Sequence, residues 1–174
     1  MRIQGLHHIA YKCGDAEATR HFYQDLLGLP LTLTVTNTRQ PTTGGEPVTY
    51  FHFFFELGDG SSVAFFDLAD DDPPQPSPNT PPWVNHLALR MDSIDELHQA
   101  HRRLLEAGVA VDGVLDHEFV KSIYFFDPNG VRLELTAATD NTTYLPNARR
   151  NAEAEFQRWI ETRASQRAAV TARA

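Results

Sequence analysis

A chain of 174 residues with a net charge of −8 and a pI near 5.4 argues against nucleic-acid binding, which needs a basic face to neutralise phosphates. A hydrophobic fraction of 41% and a charged fraction of 22% are those of a globular protein, and no apolar run reaches membrane length. A single cysteine, Cys13, excludes an intrachain disulfide framework. With no charged-then-apolar leader at the N-terminus, a reducing cytoplasm is the expected location.

In chain order, Ile3 to Lys12 is the first predicted strand. Asp15 can cap a helix whose apolar stripe is Phe22, Tyr23, Leu26 and Leu27, and Gly28 is placed to stop it. Leu31 to Thr36 alternates strictly and reads as a half-buried strand. The turn-rich stretch from Asn37 to Pro47 is expected to be a mobile loop beside a site. Thr49 to Leu57 and Ser61 to Leu68 form a hairpin around Gly58-Asp59-Gly60. Asp70 to Pro82 is acidic and proline-rich, which suits a stiff connector.

The same order then begins again. Val84 to Met91 is a strand, and Ser93 with Glu96 forms a capping-box pattern at the start of a helix. Leu97, Ala100, Leu104 and Leu105 give that helix its packed face, and Gly108 ends it. Val109 to Leu115, Ser122 to Phe126 and Val131 to Thr136 complete four strands, the last two joined by the turn Asp127-Pro128-Asn129-Gly130. The expected class is α+β, with two tandem βαβββ modules at 1–69 and 84–138 and a linker at 70–83. An extension at 139–174 carries a helix from Glu153 to Arg163, with Phe156, Trp159 and Ile160 on one face.

Strand alternation places Tyr124 and Glu134 on adjacent paired strands. The hairpin alone leaves Glu134 either in water or beside Tyr124 in a cavity. The repeat bears on that choice. L-H-H-I-A-Y-K in the first module matches V-N-H-L-A-L-R in the second, so His8, Ala10 and Lys12 share one face as His86, Ala88 and Arg90 share another. The alanine two residues after each histidine leaves room for a ligand above the ring. His7 is expected to face away from His8, and His21, His98 and His101 to lie on solvated or packing faces of helices.

The paired modules, the H-x-A strand openings and the D-P-N-G-x-x-x-E ending together resemble the vicinal oxygen chelate superfamily of glyoxalases, bleomycin-resistance proteins and extradiol dioxygenases. The resemblance implies that the modules curl into a cup-shaped, partly closed mixed sheet with helices outside. It also implies a divalent metal held by His8, His86 and Glu134. Two imidazoles and a carboxylate leave adjacent positions open on an ion, and Fe(II) is the favoured metal, with Mn(II), Zn(II), Ni(II) and Co(II) compatible. A fourth ligand found in some relatives would fall at Ala64, Phe65 or Phe66, none of which binds metal, and this favours a three-ligand enzyme.

His117, Ile123, Tyr124, Asp127, Pro128, Gly130 and Glu134 match the extradiol-dioxygenase pattern, while Leu115 departs from it. Fosfomycin-resistance enzymes share the spacing of Tyr124 to Glu134 and the serine at Ser122. An acid–base histidine expected near the end of module one is absent, and His52 is the candidate to replace it. The implied activity is ring cleavage of a catechol-like substrate with vicinal oxygens, with Tyr124, His117 and His52 catalytic. Ser122, Lys121, Lys12, Arg90 and Arg132 are the expected substrate-binding side chains. A Lewis-acid lyase, isomerase or thiol transferase, and a metal-free sequestering protein, are the rival readings. Relatives commonly dimerise, so a homodimer is expected, with the site formed in one chain or across two.

Overall fold

The computed structural model describes residues 2–39 and 46–171. In chain order the elements are β1 (His8–Lys12), α1 (Ala16–Arg20) running into a π-helix (His21–Leu26), β2 (Leu31–Arg39), β3 (Val48–Glu56) and β4 (Ser62–Asp67). There follow β5 (Leu87–Arg90), α2 (Ile94–Glu106), β6 (Val111–Asp116), β7 (Val120–Phe126), β8 (Arg132–Ala138) and α3 (Tyr144–Thr171). The strands form two sheets of four, ordered β1-β4-β3-β2 and β5-β8-β7-β6. In each sheet the first strand pairs parallel to the last and the other pairs are antiparallel. A parallel pair needs a crossover, which α1 and α2 supply. The fold is α+β, and the βαβββ repeat holds strand for strand.

The boundaries move where pairing decides them. β1 starts at His8 rather than Ile3 because β4 offers partners only from Ser62 onward, leaving Ile3 and Leu6 exposed. β2 continues to Arg39, with Asn37 to Arg39 paired to Tyr50 through Val48, so the expected loop loses its first three residues. The centre of that loop, 40–45, lies outside the described residues. The first helix opens as expected, with Asp15 Oδ1 accepting from the Ala18 amide at 2.9 Å. It then widens, the Leu27 amide donating to the Phe22 carbonyl five residues back. The wider turn narrows the angle between successive side chains and allows the adjacent Phe22 and Tyr23 both to be buried. α3 runs 28 residues, far beyond the expected Glu153–Arg163, with Asn141 Oδ1 accepting from the Tyr144 amide at its start.

One apolar cluster joins the modules. Phe53, Phe55, Val63 and Phe65 from the first sheet meet Ile123, Phe125, Leu133 and Leu135 from the second, with Phe22, Tyr23, Leu97 and Leu104 from the helices among them. Each sheet therefore presents one face to this core and turns the other away from it. Among the described residues no strand pair joins the sheets and no barrel closes.

The modules are fastened where the turn after β7 meets α1. The Tyr23 ring stacks on Phe55 at 5.3 Å, and its hydroxyl donates to Asp127 Oδ2 at 3.0 Å. Asp127 Oδ1 accepts from the Asn129 and Val131 amides at 2.8 Å each. Asn129 in turn accepts from the Gly14 amide at 3.0 Å and donates to Thr19 Oγ1 at 3.1 Å. Gly130 takes φ +78° to close the turn. Burial pushes the Asp127 carboxyl above its ordinary value, opposed by the donors around it.

A raised carboxyl adds stability below its unfolded value and loses it as pH rises through the folded one. The Tyr23 hydrogen bond favours the ionised form. Tyr23→Phe should therefore cost about 1–3 kcal/mol at pH 7 and less near pH 4. Urea denaturation at the two pH values checks this, and equal losses would contradict the account.

Candidate functional site

The outward face of the second sheet gathers most of the candidate site residues. Pairing sets Ala88, Glu134, Tyr124 and Asp112 in one row across β5, β8, β7 and β6. Alternation adds Arg132 and Thr136 from β8 and Ser122 from β7 to the same face. His86, just before β5, places Nε2 3.0 Å from Glu134 Oε2, and Glu134 is only 7% exposed. His117 Nε2 lies 3.0 Å from the Tyr124 hydroxyl, and Tyr124 stands directly across the strand pair from Glu134, which acts on its phenol. Ser122 Oγ donates to Thr136 Oγ1 at 3.0 Å. The Arg132 guanidinium sits 4.3 Å above the Tyr124 ring and donates to the Trp83 carbonyl at 2.8 Å. His117, Tyr124, Glu134 and His86 thus form one continuous chain of polar contacts.

The His86 Nδ1 is 2.9 Å from the Val84 carbonyl, so it carries the proton and donates there. In a neutral ring this turns the Nε2 lone pair toward the Glu134 carboxylate. Two electron-rich atoms 3.0 Å apart need a proton or a cation between them. Two ligands bound at right angles to one ion at about 2.1 Å stand roughly 3 Å apart. The donor chemistry and the spacing therefore both fit a divalent metal. Burial, and then the bond to Glu134, push the Tyr124 phenol above its ordinary value, which keeps it a proton donor at neutral pH.

The corresponding row of the first sheet is Ala10, Ala64, Phe54 and Leu33. Register thus places Ala64 where the second module has Glu134, and Phe54 where it has Tyr124. The first module carries the matched histidine without the carboxylate or the phenol. His8 lies 5.3 Å from the Phe54 ring and 6.2 Å from that of His52. His52 stacks on Phe66 at 3.7 Å and its Nδ1 lies 2.9 Å from the Phe65 carbonyl, so it groups with His8 and not with Tyr124. His7 does not face away from His8. It precedes the strand, where alternation does not hold, and its Nδ1 is 2.8 Å from that of His8.

Lys12 shares the His8 face and pairs with Asp70 at 2.5 Å. Arg90 shares the face of Ala88 and helps hold the Asp59 carboxyl below its usual range, after the bonds from Ser61 that dominate. Lys121 alternates to the face opposite Ser122 and Tyr124, pairing with Ala137 and lying 3.9 Å from Asp116. Among the described residues, no three His, Cys, Asp or Glu side chains converge as a metal site. His8 and the His86–Glu134 pair occupy separate sheets. A cavity of about 730 Å³ lies along the open edge of β5, lined by Leu57, Leu87, Ala88, Leu89, Arg90 and Arg103, and none of His86, His117, Tyr124 and Glu134 lines it.

Residues 5–135 match the family model described as the Glyoxalase/Bleomycin resistance protein/Dioxygenase superfamily, and the chain belongs to that superfamily. Among curated relatives, it is 28% identical over 160 residues to the "Putative ring-cleaving dioxygenase MhqA" of Bacillus subtilis, matching 90% of this chain and 48% of the relative. The chain therefore spans about half the length of that relative. A glyoxalase/dioxygenase structure from Nostoc punctiforme superposes with a TM-score of 0.59 at 25% identity, covering 79% of this chain and 92% of that one. The fosfomycin resistance protein FosX of Listeria monocytogenes, complexed with Mn(II) and 1S,2S-dihydroxypropylphosphonic acid, shares the fold at TM-score 0.56 and 22% identity, covering 80% and 96%.

Three participants escaped the sequence reading. Thr136 was available from alternation, two residues beyond Glu134 on the same face. Asp112 depended on the register of β6, which a bulge at Gly113 shifts. A Cβ at Gly113 would come within 2.8 Å of the Ser122 carbonyl, so only glycine fits that approach. The Val84 carbonyl, which orients His86, had no signal in residue type.

The phenol makes the site measurable without a substrate. In metal-free protein, the phenolate absorbance difference between parent and Tyr124→Phe should titrate above pH 10, the ordinary tyrosine value. A midpoint at or below 10 would contradict the burial assigned to Tyr124.

Proposed function

We propose that this chain is a divalent-metal enzyme for small molecules bearing two vicinal oxygens, with extradiol-type cleavage of a catechol-like ring as the leading reaction. The observation carrying this reading is the contact chain His117–Tyr124–Glu134–His86 on one sheet face. The similarity to the Bacillus subtilis protein named as a putative ring-cleaving dioxygenase supports the same reading. His86 and Glu134 would hold the metal, Fe(II) being favoured. His8 would complete the set from a second copy of the chain, because its own sheet turns it away from the pair. The bound ion would supply Lewis acidity and, as iron, one-electron chemistry.

The side chains divide the remaining work. Tyr124, protonated at neutral pH, donates a hydrogen bond to a substrate oxygen. His117 Nε2, in contact with that hydroxyl, accepts or returns its proton. Arg132, packed over the Tyr124 ring, fixes its angle and offers positive charge to an anionic substrate. His52 would enter the site with His8, from the second copy. Lys121, on the opposite face, has no part in this arrangement.

Protein loaded anaerobically with Fe(II) should consume oxygen with at least one member of a catechol panel, and uptake should vanish in Tyr124→Phe or Glu134→Ala. No uptake with any catechol would refute ring cleavage. Turnover of a vicinal-dioxygen substrate with Zn(II) or Mn(II), indifferent to air, would move the enzyme to the Lewis-acid class.

Metal affinity measured by calorimetry should fall in Glu134→Ala and in His86→Ala by more than the 10–100-fold typical of losing a ligand's supporting partner, an order-of-magnitude expectation. Equal affinity in the parent and both variants would remove the metal from the proposal. Mixing His8→Ala with Glu134→Ala chains should restore about one quarter of the parental sites, because each mixed dimer rebuilds one site of two. No recovery would mean that the three ligands do not meet across copies.

A further inference from the structure

Beyond the repeat, α3 projects with little of its own chain to cover. It is rooted at Tyr144, whose ring stacks on Phe119 at 4.9 Å, in the β6–β7 connection that also carries His117. From Leu145 to Ala168 every residue is exposed. Twenty-eight helical residues span about 42 Å, against about 14 Å for the three strand spacings of one four-stranded sheet. Leu145, Ala148, Ala152, Phe156, Trp159 and Ile160 fall on one helical arc, and Phe156 and Trp159 are each 59% exposed. A solitary helix gains little from propensity alone and is held by burying such a stripe.

Two observations identify what covers it. The first is charge. Through Thr143 the chain has nine Lys and Arg against twenty Asp and Glu, whereas from Tyr144 onward it has six Arg against three Glu. A basic helix on an acidic body favours another copy of that body. The second is topology, and here the inference rests on the composite site proposed above. If His8 of one copy meets His86 and Glu134 of another, the β1 edge of one sheet lies beside the β5 edge of the other. The strand orders then put β2 of one copy and β6 of the other at the two far lips of the cup. α3 is rooted on the β6 lip. On the β2–β3 lip, Leu33, Val35 and Val48 share the face of His52 and are 50%, 38% and 40% exposed.

We propose that α3 is a strap that crosses to a second copy of this chain and packs Phe156, Trp159 and Ile160 on its Leu33, Val35 and Val48, roofing the composite cup. One helix then serves both assembly and enclosure of the site. A substrate enters or leaves only as the strap lifts, while the root at Phe119 moves with the turn that holds His117.

The test mixes a Val35→Cys chain with an Ala152→Cys chain in the presence of a short bismaleimide, leaving the buried Cys13 in place. The expected result is a covalent heterodimer, absent when Ala152→Cys is treated alone. Trp159→Glu, fully tolerable in an exposed position of the single chain, should abolish that cross-link and weaken dimerisation by about tenfold in sedimentation. No cross-link between chains, cross-linking only within the Val35→Cys/Ala152→Cys double variant, or an unchanged dimer in Trp159→Glu would each overturn the strap. Failure of this proposal is separable from failure of the metal reading. Intact metal binding without the interchain cross-link sinks the strap alone, and the cross-link without metal binding sinks the function alone.

Discussion

The arrangement depends on a parallel pairing, β5 with β8. A parallel neighbour is reached only through a crossover, so the first strand of the module must travel outside the sheet, through α2, to return beside the last. That pairing brings Ala88 opposite Glu134 and so delivers His86, two residues upstream, to the carboxylate. The antiparallel pair β7–β8 adds Tyr124 opposite the same Glu134. His86, far upstream, meets the hairpin residues Tyr124 and Glu134 because two hydrogen-bonding patterns share one strand. The first module repeats the same scaffold with Ala64 at the shared position, so its histidine arrives where no carboxylate waits.

The core explains why His8 does not meet His86 and Glu134 within one chain. Phe22 and Tyr23 lie between the modules, and the apolar faces of both sheets close around the helices. Once those faces are buried, the histidine-bearing faces can only look outward. Exposed apolar residues on the β2–β3 edge, and an α3 stripe that its own chain leaves uncovered, belong to the same geometry. Outward faces, open edge strands and an exposed helical stripe are what the proposed pairing with a second copy would cover in one operation.

Much of this was legible in residue order. Alternation located the faces, the two H-x-A strands exposed the repeat, and Asp15 and Ser93 cap helices where their residue type demands. The signals that failed were those set by partners far along the chain. Ile3 to His7 has strand composition but no paired neighbour, so β1 is short and His7 folds beside His8. The π-helical turn at His21–Leu26 answers the packing of two adjacent aromatics, which no local periodicity encodes. Lys121 carries a charge suited to substrate binding, yet its odd position relative to Tyr124 places it on the other face. Residue type named the chemistry, and parity decided which residues could take part in it.

The Asp127–Tyr23 junction has a consequence for fidelity. A strand slipped by one residue turns every side chain to the opposite face. β8 leaves its turn with the amides of Asn129 and Val131 already committed to Asp127, which is itself tied to Tyr23 in the π-helix that continues α1. Arg132 is therefore the first residue of the strand in only one phase, and Glu134 can point only outward. The buried aspartate works as a phase marker, guaranteeing from seven residues upstream that the carboxylate at position 134 emerges on the side where the histidine stands.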